Sequence, residues 1–507
     1  MELASIQTGV RSQRRLYMSG VAGAVLLSST LIAGVAAAQS TTMSGSRDLS
    51  GATDSEIIAA DSQPLASPPA SAPAAPTQPG ASAPASVTET EPSNTAPFDK
   101  WKPLQLRGVI VPIPEAPNTL GQNLFGIRDS LADQGIGFTL WTTSYDADNV
   151  AKHQGVQNGT QLYTGQKNTW QTGWWGFVTY DLGHVGDPGG QLVLGGVFLR
   201  TNWNPTGPIS TALASAYYYQ SLFNNRIEFK IGYMANTLDY IGTYIAGNYA
   251  SSVFGTNASI PYEVGQNSLN FATPAVNVKF NFGNFYEKSG IQRPISPDGT
   301  VAERNENPSS FDFTVRNAGI LSTNEIGYNQ PSAPGVGQTW VRLTGDFNTS
   351  QYKDFKYLGT RHSDNYGLFL LGDHQFWQVR PDSAATARQG LYAGFSAMYA
   401  PARFNTFTQY YELRAYGIGL IPHRPDDMVA FVFADNVFSR YLIREDALAG
   451  NSVHSSAQTE TISYSAHVFR GVNINFGLSY INHPTTIIYN EHTGHALNPS
   501  IGTVTFF

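Results

Sequence analysis

The chain has 507 residues and a net charge of −7, with charged residues at 13%, about half the usual globular share. An acidic balance without basic patches speaks against nucleic-acid binding, and the absence of cysteine excludes disulfide scaffolds, thiol catalysis and thiolate metal sites. What remains is polar without being charged, with 26 Tyr and 28 Phe.

The first 38 residues read as a secretory signal peptide. Arg11, Arg14 and Arg15 precede a short apolar run, Val21 to Val35, and Ala36 and Ala38 form a small-x-small cleavage site. Arg14-Arg15 is an ordinary basic n-region rather than a twin-arginine signal. Residues 39–97 follow as a Pro/Ala/Ser-rich periplasmic linker, with too little apolar surface to offset the entropy of ordering. It reads as a disordered spacer that could reach the cell-wall polymer.

Residues 98–134 form an N-terminal segment. Leu124, Ile127 and Leu131 recur at helical spacing, so a short amphipathic helix is expected over Gln122–Asp133, with Gly135 as its C-cap. From residue 135 to 507 the periodicity changes to two. "GIGFTLWTTSYD" is the first strand. "WWGFVTYDL" and "QLVLGGVFLR" follow, separated by "GHVGDPGG". "AYYYQSLF" and "RIEFKIGY" meet at Asn224-Asn225, a tight hairpin. In the second of these Ile227, Phe229, Ile231 and Tyr233 oppose Arg226, Glu228 and Lys230. "VNVKFNFG" sets Val276, Val278, Phe280 and Phe282 against Asn277, Lys279 and Asn281. "LYAGFSAMYAP", "YELRAYGIGL", "MVAFVFADNVF" and "VNINFGLSY" continue the alternation, and "IGTVTFF" ends the chain. Short turns alternate with long Asn/Ser/Gly/Pro-rich connections, which is up-and-down antiparallel topology.

The strands could pair as a soluble sandwich or close as a transmembrane barrel. A sandwich rarely grows to about 400 residues without splitting, whereas a barrel meets lipid with its apolar faces and lines a lumen with its polar ones. At about 25 residues per strand and connection, this all-β region predicts roughly 16 strands. Tyr233, Tyr399 and Tyr480 at strand ends suit an interfacial girdle.

These segments together resemble the carbohydrate-selective porins of the OprB family. The similar stretches are "IRDSLADQGIGFTLWTTSYDADNV", "FVTYDLGHVGDPGGQLVLGGVFLRTNW" and "SAYYYQSLFNNRIEFKIGYM", then "YELRAYGIGLIPHRPDDMVAFVF" and "INFGLSYINHP". Gly419, Arg424 and Asp427 match that family's Gly-x-x-x-x-Arg-x-x-Asp turn. The family departs at Gly232-Tyr233, where it carries Gly-Arg, and at His483-Pro484, where it carries Asn-Pro. The resemblance implies a 16-stranded outer-membrane pore for passive uptake of small sugars. A porin for other small solutes, or a barrel that merely carries an outer-membrane enzyme or wall anchor, is the alternative reading.

Selectivity in such a pore comes from the groups on its narrowest ring. The expected lining residues are Arg200, Arg226, Glu228, Lys230, Lys279, Glu412 and Arg414, with Tyr410, Tyr416 and Trp141 as stacking surfaces. In the run Tyr217-Tyr218-Tyr219, either Tyr218 or the outer two face the lumen. No catalytic residue, cofactor or metal is expected. "HTGH" (His492, His495) and "DADN" (Asp146, Asp148, Asn149) read as solvated loops rather than metal sites. The expected partners are sugars, outer-membrane lipid, further copies in an oligomer, and the assembly machinery through the terminal aromatic Phe507. Alternation places Phe506 toward lipid and Phe507 at the rim.

Overall fold

The computed structural model describes residues 96–507 except 111–112, 152–160, 162, 204–206, 209–210, 237–238, 241–259, 268–269, 485–486 and 488–494. The expected signal peptide, nearly all of the linker, and His492 lie outside the described residues.

Alternating sequences with one apolar and one polar face can satisfy every backbone group at lipid depth only by closing on themselves. The described residues do so with sixteen antiparallel strands. They are β1 (Ile136–Ala147), β2 (Thr169–Asp181), β3 (Gly190–Thr201), β4 (Ala212–Leu222), β5 (Ile227–Met234), β6 (Thr273–Phe282), β7 (Phe285–Gln292) and β8 (Leu321–Gln330). The second half comprises β9 (Thr339–Asn348), β10 (Asn365–Gln378), β11 (Gly390–Tyr399), β12 (Phe407–Ile418), β13 (Met428–Phe438), β14 (Ser456–Phe469), β15 (Val472–Asn482) and β16 (His495–Phe506). Each pairs with its sequence neighbours, and β16 closes on β1 with Trp141 opposite Phe506 and Tyr145 opposite Gly502.

The hairpin ends alternate as the sequence predicts. At one end the turns are short; Phe223, Asn224 and Asn225 adopt φ of 54°, 56° and 62° to reverse the chain between β4 and β5. At the other end lie the long connections, among them residues 235–272 and 293–320. The alternation of burial is equally regular. Leu192, Leu194, Ile326, Leu413 and Phe431 are exposed on the outside, while their neighbours Val193, Glu325, Glu412 and Val432 point inward and are buried. Tyr399 and Tyr480 face outward at the long-loop end, as a girdle requires.

Three expectations are corrected. The helix is α1 (Ile127–Ala132), shorter than Gln122–Asp133, because Gln122, Leu124 and Phe125 take φ of 42°, 46° and 60° in a succession of turns. Its C-cap is Asp133 rather than Gly135, which follows two residues on with φ 75°, its N–H donating to Ala132 O at 2.9 Å. Phe506 faces inward, not toward lipid; it is buried with Val504 and tilts against Trp141 at 6.2 Å. The wall of β1–β4 therefore carries an apolar inner face, with Trp141 stacked on Trp175 (6.0 Å) and Phe177 (5.1 Å). Alternation alone could not foresee this, since period two says which residues share a face but not what lies against it. Here that face is covered by Leu106, Val109 and Ile113 of the N-terminal segment.

Candidate functional site: the barrel lumen

Two inserts enter the lumen. The described parts of the connection from β5 to β6 fold inward: Asn348 Nδ2 donates to Val264 O at 2.6 Å, Gln266 Nε2 to Thr323 Oγ1 at 2.8 Å, and Asn277 Nδ2 to Asp239 Oδ2 at 2.6 Å. These bonds join it to the inner faces of β9, β8 and β6 in turn. The N-terminal segment enters from the short-turn end, with Gln191 Nε2 donating to Gln105 O at 2.8 Å and Tyr217 OH to Arg107 O at 3.2 Å.

Opposite the apolar wall, β5–β12 carry a belt of ion pairs. Glu228 on β5 meets Lys279 on β6 at 3.0 Å, and Lys230 meets Asp239 of the inward connection at 2.7 Å. Lys288 on β7 lies directly across from Glu325 on β8, at 2.8 Å. Glu325 also accepts from Tyr286 OH at 2.9 Å and Thr344 Oγ1 at 2.8 Å. Arg342 follows on β9, with its guanidinium 4.2 Å from the centre of the Trp340 ring. Arg414 on β12 reaches across β11 to Asp373 on β10, its Nε donating to Oδ1 at 2.8 Å, and also pairs with Glu412. The ten ions named are five cations and five anions, interleaved except where Lys279 stands across from Lys288; Asp346 lies beside them, accepting from Gln266 at 3.1 Å. Such spacing leaves strong hydrogen-bonding groups on the lumen wall while largely cancelling their far field.

The structure sorts the expected lining residues into three groups. Glu228, Lys230, Lys279, Glu412 and Arg414 all point inward and are brought into this belt. Tyr410 and Tyr416 join them: Tyr410 OH donates to Glu412 Oε2, Tyr416 OH to Asp373 Oδ1 at 3.3 Å, and Tyr416 stacks on Tyr392 at 4.7 Å. Trp141 points inward but lies in the covered aromatic ladder, 5% exposed, so it presents no free ring face to the lumen. Arg200 and Arg226 are corrections. Arg200 is exposed on the outer face at the long-loop end of β3, over Phe198 at 5.4 Å. Arg226 is exposed in the β4–β5 turn, one residue before the strand begins, so its face is not fixed by alternation. Of the three tyrosines, Tyr217 and Tyr219 face inward.

Sequence reading missed Asp239, Lys288, Glu325, Arg342 and Asp373. Arg342 was legible: "TWVRLTGDF" sets Val341, Leu343 and Phe347 against Arg342, Thr344 and Asp346. Asp239 had no local signal, because a connection that folds inward carries no period. The reading of "DADN" as a solvated loop is corrected: Asp146 and Ala147 end β1, Asp146 accepts from Asn168 Nδ2 at 2.9 Å, and Asn149 is buried, receiving Leu497 N–H at 3.0 Å.

The OprB model, described as a carbohydrate-selective porin family, matches residues 139–495. The chain belongs to the OprB family. In structure it is similar to OprB of Pseudomonas putida determined at high pH, with 15% identity, 76% of this chain and 97% of that chain covered, and a TM-score of 0.62. The low-pH structure of that protein matches with 14% identity, 77% and 98% coverage and a TM-score of 0.48. A porin mutant of Rh. blastica matches with 9% identity, 73% and 100% coverage and a TM-score of 0.39. No curated protein matches. This OprB-family porin accordingly resides in the outer membrane, with its short turns toward the periplasm and its long connections outside.

Proposed function

We propose that this porin passes small neutral sugars into the periplasm by passive diffusion, and that it performs no bond chemistry. The alternating charge belt of β5–β12 supports this reading. A neutral sugar entering a narrow lumen loses hydrogen bonds to water and must regain them from the wall. Paired carboxylates, guanidiniums and ammoniums are the strongest available partners, and their alternation limits selection between cations and anions. Arg414, Glu412 and Asp373 gather donors and acceptors in one inward-facing patch that is buried in this structure, with Tyr410 and Tyr416 at its edges. Outside the lumen, Phe507 serves as the handle for the assembly machinery. Single-channel recording in a planar bilayer tests the transport reading. Mono- or disaccharides should reduce the ion current saturably, at several salt concentrations. Current unchanged by sugars but reduced by amino acids or organic anions would replace this reading with that of a porin for other solutes.

A further inference from the structure

Residues Leu104–Val109 follow the inside of the wall near the periplasmic mouth, strand by strand. Thr179 Oγ1 on β2 donates to Leu104 O at 2.5 Å, and Gln191 on β3 donates to Gln105 O at 2.8 Å. Tyr217 on β4 holds Arg107 O at 3.2 Å, and Lys230 Nζ on β5 holds Gly108 O at 3.2 Å. The wall thus grips the strap by its carbonyls, while Leu106 and Val109 pack onto the inner aromatic cluster. Gly108 adopts φ 73°, and a Cβ there would lie 2.8 Å from the Tyr219 ring and 2.9 Å from the Lys230 stem, so the strap is pressed against the wall at that point. The chain then returns across the mouth, where Leu120 N–H donates to Phe506 O at 2.7 Å.

Lys230 is where this strap meets the other insert. The ammonium that holds Gly108 O also pairs with Asp239 of the inward connection at 2.7 and 2.9 Å, and sits 4.2 Å from the centre of the Tyr217 ring. All its donors are directed at protein groups, and it is buried.

Building on the porin reading above, we infer that the strap, not the β2–β5 wall, bounds the passage on that side, and that Lys230 is a positioning residue that fixes the aperture. It clamps the strap to the inward connection without meeting the solute. The aromatic wall behind the strap is then unavailable for stacking, and the solute runs between the strap and the charge belt.

Two recordings test this in the full-length protein. The chain has no cysteine, so Ile110→Cys, at a half-exposed position next to Val109, gives a single labelling site. A charged thiol reagent should lower its single-channel conductance in one step; unchanged current after labelling verified by mass would overturn the strap as a boundary. Lys230→Met should raise conductance about 1.5-fold and, by freeing Asp239, shift selectivity toward cations, with Lys230→Arg restoring both. Folded Lys230→Met channels with native conductance and selectivity would overturn the clamp. If Lys230→Met yields no folded barrel, Gly108→Ala, which displaces the strap from outside the strands, should give the same rise in conductance, and native conductance there would count equally against the clamp. Neither readout uses sugar, so a native channel indifferent to sugars would refute the sugar reading while leaving this one to stand or fall by itself.

Discussion

Glu325 is fully buried between Lys288 and the hydroxyls of Tyr286 and Thr344. Removing its charge takes from Lys288 its paired carboxylate while Lys279 stands directly opposite. Glu325→Gln should therefore destabilise the barrel by about 3–5 kcal/mol and tilt the channel toward anions, read as a lower unfolding temperature and a shifted reversal potential. Phe506 makes a different test. It is buried against Trp141 across the closing seam, so Phe506→Ala should cost about 3–5 kcal/mol; a loss below 1 kcal/mol would mean the side chain faces lipid after all. Glu263 carries a pH dependence. It lies in the inward connection, in a single helical turn, α2 (Ile260–Glu263), and accepts Phe407 N–H at 3.1 Å. Burial pushes its carboxyl up to about 8. An acid raised in the folded state favours folding when protonated, so its penalty appears as pH rises past about 4.3, the unfolded value, and is complete above about 8. The connection should be held most tightly at low pH, and Glu263→Gln should flatten the pH dependence of conductance noise across that window. At this scale the sequence told faces well and surroundings poorly. Lys230 and Glu412 were placed on the right face, yet nothing in "RIEFKIGY" says that Lys230 faces Asp239 rather than water.

The strands are the elements most plainly written in the chain. Period two, with Gly and Asn at the reversals, is a backbone property and survives any tertiary context. The glycines inside strands add information that alternation lacks. Gly327 on β8 faces inward beneath Tyr286 of β7, and a Cβ there would fall 2.2 Å from the Tyr286 ring. That ring donates to Glu325 at 2.9 Å and receives Trp340 Nε1–H at 3.0 Å. Gly327→Val should displace Tyr286, break both bonds and cost about 1–3 kcal/mol, measurable as a lower unfolding temperature and weaker sugar block. The irregular elements were less legible. The α1 helix starts at Ile127 because a run of turns with positive φ precedes it, and helical spacing of apolar residues does not detect such turns. The inward placement of Asp239, Val264 and Gln266, in the connection from β5 to β6, was invisible for the same reason.

At the scale of the whole molecule, closure decides what the terminus does. Phe507 N–H donates to Leu140 O at 2.8 Å, so the last residue continues the seam between β16 and β1. Deleting Phe507 should slow assembly in cells, read as unfolded porin in the periplasm. It should change conductance of the assembled channel little, since β1 and β16 keep their seven other register pairs. The class of the molecule was legible in the chain: about 400 residues without a linker, alternating with period two and reversed by alternating short and long connections, exceed a soluble sandwich and suit a closed transmembrane barrel. Alternation also told which residues share a face, but not always which face is the inner one, as Phe506 and Arg200 show. What the inner face meets follows from the folded barrel alone. On β1–β4 it meets the N-terminal strap and is apolar; on β5–β12 it meets the lumen and the inward connection and is charged. The reason is physical. Strand periodicity is fixed residue by residue along the backbone, whereas the occupants of a lumen arrive from segments distant in the chain, and no local pattern records where they will lie.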